Sequence, residues 1–190
     1  MPRFVIANRH PLTQPAAIVR AAALREQAAV TDLLLRANRD YRKVLPARCY
    51  DSYMRDLRTM AADWSDKDFL IAESDGALLG AVAFYRDASV QGHGLPREWA
   101  GLRALAVDPE ARGRGIGRQL AEACVLRAWR MGRPFLVLHS AAFQEVGRKL
   151  YLAMGFQRCP QYDFDLGDQP APGLNGERLA IDAFCLNLTR

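Results

Sequence analysis

Val107-Asp108-Pro109-Glu110-Ala111-Arg112-Gly113-Arg114-Gly115-Ile116-Gly117-Arg118-Gln119-Leu120 decides how this chain folds. Upstream, Ala100 to Val107 is apolar except at Arg103, and its end, Ala104 to Val107, reads as a buried strand closed by a Pro-containing turn. Downstream, Leu120, Ala121, Cys124, Val125 and Ala128 recur at helical spacing, and Gly132 with Pro134 ends that helix. Between the two lie glycines at alternate positions. A strand, a glycine turn and a helix in that order bring small residues and free backbone N–H groups to a helix N-terminus, which is an anion site. Arg112, Arg114 and Arg118 add positive charge around it. The chemistry indicated is a grip on a pyrophosphate.

Two familiar phosphate loops do not fit. A Walker loop ends in Lys followed by Ser or Thr, where this chain has Ile116-Gly117-Arg118. The dinucleotide fingerprint spaces its glycines as Gly-x-Gly-x-x-Gly, but Gly113, Gly115 and Gly117 are two apart throughout. What is present is Arg-x-x-Gly-x-Gly, carried by Arg112, Gly115 and Gly117 and preceded by Leu105-Ala106-Val107-Asp108-Pro109. That pattern resembles the acetyl-CoA signature of the GNAT superfamily of N-acetyltransferases. A second stretch, Lys149-Leu150-Tyr151-Leu152-Ala153-Met154-Gly155-Phe156, is similar to the family's Leu-Tyr-x-x-x-Gly-Phe motif.

Working outward, Ile18 to Ala22 reads as an opening strand, followed by a helix from Glu26 to Tyr41 and a second helix after Pro46. Phe69 to Ala72 and Ala77 to Phe84 read as strands joined through Ser74-Asp75-Gly76, a hairpin signal. Arg86 to Glu98 is a polar loop. Phe135 to Leu138 is a short strand, and Phe143 to Met154 a helix with Ser140 as its expected N-cap. Phe156 onward and Ile181 to Leu188 close the sheet around a Gly/Pro-rich loop at Gly167 to Gly176. The pattern gives an α/β (α+β) fold: a loose arm over 1–15 and one domain over 16–190. The resemblance implies a mixed, mostly antiparallel sheet of six to seven strands, with helices on both faces and splayed fourth and fifth strands.

It also implies site residues. Backbone N–H groups from Arg112 to Arg118, including Gly113, Arg114, Gly115, Ile116 and Gly117, would hold the pyrophosphate of acetyl-CoA. Leu105, Ala106 and Val107 would pair with the pantetheine arm as an added strand does, one N–H facing the thioester oxygen. Tyr151 would protonate the departing thiolate, since a phenol of pKa about 10 and a thiol of about 8.5 exchange a proton readily. Two positions depart from the family pattern. Gln144 stands where asparagine is common, and Gly101 where many relatives carry a catalytic glutamate. The general base is therefore open among Glu98, His93 and His139, or solvent. Tyr41, Tyr50 and Tyr53, with the loop Arg86 to Glu98, are candidates for shaping the acceptor pocket.

The chain of 190 residues carries a formal charge of +5 and is half hydrophobic, which suits one globular domain and anionic partners. The reaction indicated is transfer of an acetyl group from acetyl-CoA, as co-substrate, to an amine of a small molecule or peptide, with no metal. Two other readings stand beside it: a CoA-binding module without efficient turnover, and a basic nucleic-acid binder. No aromatics interleave the arginines of the turn, which argues against nucleic acid. Cys49, Cys124, Cys159 and Cys185 are scattered, suggesting neither a zinc site nor a disulfide framework. The longest apolar run, Ala77 to Tyr85, is far too short to span a membrane, so a cytoplasmic location and no membrane partner are expected; a homodimer is compatible.

Overall fold

The structure, a computed structural model, describes residues 17–165 and 180–189. The arm over 1–15 and the Gly167 to Gly176 loop lie outside them. The elements run β1 (Ile18–Ala21), α1 (Gln27–Ala37), α2 (Ala47–Ala62), β2 (Lys67–Ser74), β3 (Ala77–Tyr85), β4 (Ala100–Val107), α3 (Ile116–Arg130), β5 (Phe135–Ala141), α4 (Glu145–Ala153), β6 (Gln157–Arg158), β7 (Phe164–Asp165) and β8 (Ala180–Asn187).

The sheet runs β1-β2-β3-β4-β5-β8-β6, with β7 also on β8. The two-residue strands β6 and β7 bring it to eight strands rather than the six or seven expected. All described pairings are antiparallel except β4 with β5. Successive residues of β2 and β3 face opposite sides, and both sides are covered. Phe69, Ile71, Ala81 and Ala83 pack under α1 and α2, against Val30, Leu33, Leu34 and Leu57. Leu70, Ala72, Val82 and Phe84 pack under α3, against Ile116, Leu120 and Cys124.

Local chemistry explains most boundaries. Asp75 and Gly76 both have positive φ, 50° and 76°, as a two-residue turn matching the strands' twist requires. The helix expected to reach Tyr41 stops at Ala37. Asn38 folds its amide back onto the Leu34 carbonyl at 2.8 Å, competing with the helical ladder, and a separate 3-10 turn spans Arg39–Lys43. Ser140 does not cap α4. It is an extended residue of β5, paired opposite Asp182 on β8, and buried. The N-cap is Gln144, whose own side chain makes no capping bond.

The cysteine expectation is also corrected. Pairing of β6 with β8 sets Gln157 opposite Cys185, and the neighbouring Cys159 is joined to Cys185 by a disulfide with Cα atoms 6.1 Å apart. Cys49 and Cys124 are free and buried.

Two irregularities in β4 create the site. It pairs with β5 only through Ala100–Leu136 and Gly101–Val137, after which the strands part. Between the pairs Ala81–Ala106 and Ala83–Arg103, two residues, Ala104 and Leu105, face the single Val82 of β3. Ala104 has φ 53°. This is a β-bulge, and it frees backbone polar groups of the strand from the ladder.

Candidate active site

The gap between β4 and β5 opens into a cavity of about 550 Å³. One wall is the bulged strand, from Leu102 to Val107. The floor is the glycine turn and the start of α3, where Gly113, Gly115, Ile116, Gly117 and Arg118 all line it. Gly115 is the N-cap, with φ 80°, a left-handed conformation that side chains resist. No side chain caps this helix end, and the first intrahelical donor is Gln119, to Gly115 O. The N–H groups of Ile116, Gly117 and Arg118 therefore have no intrahelical acceptor and lie at the positive end of a fifteen-residue helix. The donor set fits a phosphate group.

The arginines divide. Arg118 lines the cavity and lies 3.6 Å from Glu122. Arg112 lines it too, but its Nη2 donates to the Ala37 carbonyl at 2.6 Å, at the C-terminal end of α1. Arg114 is exposed and, unlike Gly113 and Gly115 on either side, does not line the cavity.

Tyr151 reaches the opposite wall from α4. Its ring is buried in the core beside Phe156 and Cys124. Burial pushes the phenol above its ordinary range, with smaller contributions from Cys124 and Tyr41, so it stays protonated at neutral pH. Gln144 is held from two sides. Its Oε1 accepts from Ala141 N at 2.9 Å and Ser140 Oγ at 3.1 Å, while Nε2 donates to Tyr53 Oη at 3.4 Å. Tyr53 in turn donates to Asn38 Oδ1 at 2.9 Å. This chain stitches β5, α4, α2 and α1 together across the mouth of the cleft. Tyr41 and Tyr53 pack edge-to-face around Phe143 and line the cavity, whereas Tyr50, on α2, packs half-buried against the core between the helices and the sheet and lines neither cavity.

The three base candidates separate. Glu98 is exposed in the loop before β4, its carbonyl near Arg133 Nη1, and its side chain lines neither cavity. It is not part of the site. The loop's ladder bond, Ala88 N to Trp99 O, closes one residue later and leaves Glu98 on the outside. His139 lines the large cavity and also a smaller neighbour. Its Nε2 lies 3.0 Å from the carbonyl oxygen of Tyr162. A carbonyl only accepts, so Nε2 carries the proton and Nδ1 keeps its lone pair. Burial lowers the imidazole's pKa, which keeps it neutral. His93 lines only the smaller cavity, stacked on Phe164 with ring centroids 3.6 Å apart, and burial with the nearby His139 pulls its pKa down to about 4.

Several participants were not foreseen. The bulge at Ala104 has no sequence signal, because alanine has no preference for a left-handed backbone. Asn38 is a common helix-end residue and Phe143 reads as the first apolar position of a helix that in fact begins at Glu145, and only the fold brings them together with Tyr53. Among the described residues no helix is long and apolar enough to cross a membrane, and no group of three or more metal-ligating side chains converges.

Comparison with known proteins fits this geometry. The model of the acetyltransferase (GNAT) family matches residues 31–156. An IAA acetyltransferase of Azospirillum brasilense is 30% identical over 156 residues, 82% of this chain and 86% of that protein. N-acetyltransferase 8B of Mus musculus is 31% identical over 116 residues, 61% of this chain and 49% of that protein. The chain spans about half the length, or less, of the first such relatives it matches. Among solved structures, a GCN5-related N-acetyltransferase from Rhodopseudomonas palustris superimposes with TM-score 0.67 at 16% identity, covering 94% of this chain and 99% of that one. The protein yncA of Salmonella typhimurium, solved with its cofactor acetyl-CoA, gives 0.60 at 19% identity, covering 92% and 95%. These last two share the fold. With the family model matched over most of its length, the chain belongs to the acetyltransferase (GNAT) family.

Proposed function

We propose that the protein transfers an acetyl group from acetyl-CoA to the primary amine of a small molecule or peptide, by direct attack of the amine on the thioester. One observation carries this reading. A helix N-terminus with unpartnered amides, a bulged strand edge, a protonated phenol and a neutral imidazole all open onto one cavity. That a structural neighbour is known with acetyl-CoA supports the choice of donor.

The N–H groups of Ile116, Gly117 and Arg118 hold the diphosphate, with the helix dipole behind them. The free edge of β4 at Leu105, Ala106 and Val107 offers main-chain partners to the extended pantetheine arm, and a bulge N–H meets the carbonyl oxygen as negative charge develops on it. Gln144, clamped by Ser140 and Ala141, presents its amide beside that path. His139 Nδ1 accepts the proton that the attacking nitrogen loses. As the new N–C bond forms the C–S bond breaks, and Tyr151 Oη delivers a proton to the sulfur. Exchange with solvent then resets both groups.

The test pairs calorimetric titration of acetyl-CoA with release of free CoA across a library of amines. Binding together with amine-dependent release is the expected result. No binding, or binding with no amine that liberates CoA, would overturn the reading.

A further inference from the structure

Beside the large cavity lies a smaller one of about 120 Å³. Arg103 and His139 line both, so the smaller space adjoins the place where the acetyl group changes hands. At roughly 30 Å³ per water it holds about four waters' worth of ligand. That is the scale of an amino acid, not of a drug-sized molecule.

Gln91 reaches into this space from the loop between β3 and β4. A Cβ placed on Gly101 would come within 1.8 Å of Gln91 Nε2. The glutamine amide thus fills the volume that a side chain at position 101 would take. The amide is delivered there by an unusual backbone: Gly92, His93 and Gly94 all have positive φ, 80°, 61° and 68°. His93, a residue that adopts this conformation at a cost, is pinned by its stack on Phe164. Gln91 Nε2 is buried, and among the described residues it has no hydrogen-bond partner. A turn of the side chain away from Gly101 and toward the cavity it lines would bring that amide to an oxygen on a bound molecule.

Charge narrows the class of molecule. Among the described residues, the charged ones on this wall are Asp56 and Arg103, paired with each other. His93 and His139 are uncharged at neutral pH, so the described part of the wall is neutral. A bare amine would arrive as an uncompensated cation, and a carboxylic acid as an uncompensated anion. A zwitterion adds no net charge, and a guanidinium with five N–H groups can serve a second carboxylate besides Asp56.

We propose that this cavity is the acceptor site for a small free α-amino acid, its carboxylate held by Gln91 Nε2 and the Arg103 guanidinium and its amino group directed toward His139. This rests on the acetyl-transfer reading above and names its acceptor class. Gln91 is then a residue that selects for the carboxylate.

The experiment measures CoA release from acetyl-CoA by the full chain with a set of L-amino acids, each beside its carboxamide and its decarboxylated amine. At least one free acid should exceed its carboxamide by about tenfold or more in kcat/KM, the loss expected when one charge-assisted contact is missing. Gln91→Leu should shrink that preference severalfold through KM for the acid, with acetyl-CoA affinity and the melting temperature unchanged, which shows that the variant folds. Gln91→Glu should reject the free acid altogether. Carboxamides or plain amines that match the acids, or a preference undiminished in Gln91→Leu, would overturn the assignment while acetyl transfer stands. Acetyl-CoA binding with no amine acetylated would remove both.

Discussion

Replacing Tyr151 with phenylalanine separates chemistry from packing at one atom. The ring is buried in the core beside Phe156 and Cys124, and phenylalanine keeps that packing. Among the described residues the hydroxyl makes no hydrogen bond, so its removal breaks none. An unpartnered buried hydroxyl costs about 1–3 kcal/mol, and this one touches the cavity, so the relief falls at the low end. On a chain of this size one kcal/mol moves Tm by about 2–4 °C, so Tyr151→Phe should melt at the wild-type temperature or a few degrees above it. Proton delivery by a positioned group contributes about 10²–10⁴ in rate, or about 3–5 kcal/mol. The variant should lose that much kcat while binding acetyl-CoA with unchanged Kd. Stopped-time assays of CoA release, calorimetry and thermal melts read the three quantities. A kcat within about threefold of wild type would refute the role of the phenol as acid. So would a slow variant that had also lost stability or affinity, since that pattern marks a packing residue.

Gly117→Glu places a carboxylate at the helix end, where even a Cβ would touch Leu105 at 3.4 Å and Val107 at 3.5 Å; acetyl-CoA affinity should fall by at least about tenfold in calorimetry. Gly115→Val forces a branched side chain to φ 80°, and thermal melts should show a loss of about 1–2 kcal/mol. For His139 the sign is fixed by burial: its pKa lies below the ordinary 6.5, the neutral form acts above that pKa, and activity is lost as pH falls through it. The acid limb of the kcat/KM profile should therefore lie below pH 6.5 and should disappear in His139→Gln, whose residual activity is pH-flat there.

The elements that carry the candidate site were legible because their signals are local. Ala100 to Val107 is one apolar run with a proline turn behind it, and the glycines at 113, 115 and 117 precede a helix with a clear inward face. Where the reading failed, the deciding interaction joins distant parts of the chain. Ser140 looked like a cap, but pairing with Asp182 on β8 draws it into a strand. Cys159 and Cys185 stand 26 residues apart and meet only because β6 lies on β8. Glu98 is near the site in sequence but faces outward, whereas Gln91, farther from β4, turns inward into the space left by a glycine. No pattern within a single segment encodes that substitution of one residue's volume by another's.

The gap in the sheet has a mechanical consequence. Strands β1 to β4 form one panel and β5 to β8 another, and the backbone seam between them is two residue pairs long at Ala100–Leu136 and Gly101–Val137. Beyond the seam the panels are kept apart by whatever occupies the wedge. A bound molecule there acts as mortar, and its affinity is spent on holding the halves in register as well as on its own retention. Amide hydrogen exchange along the free edges of β4 and β5 should slow together when the wedge is filled, because the two edges open as one motion.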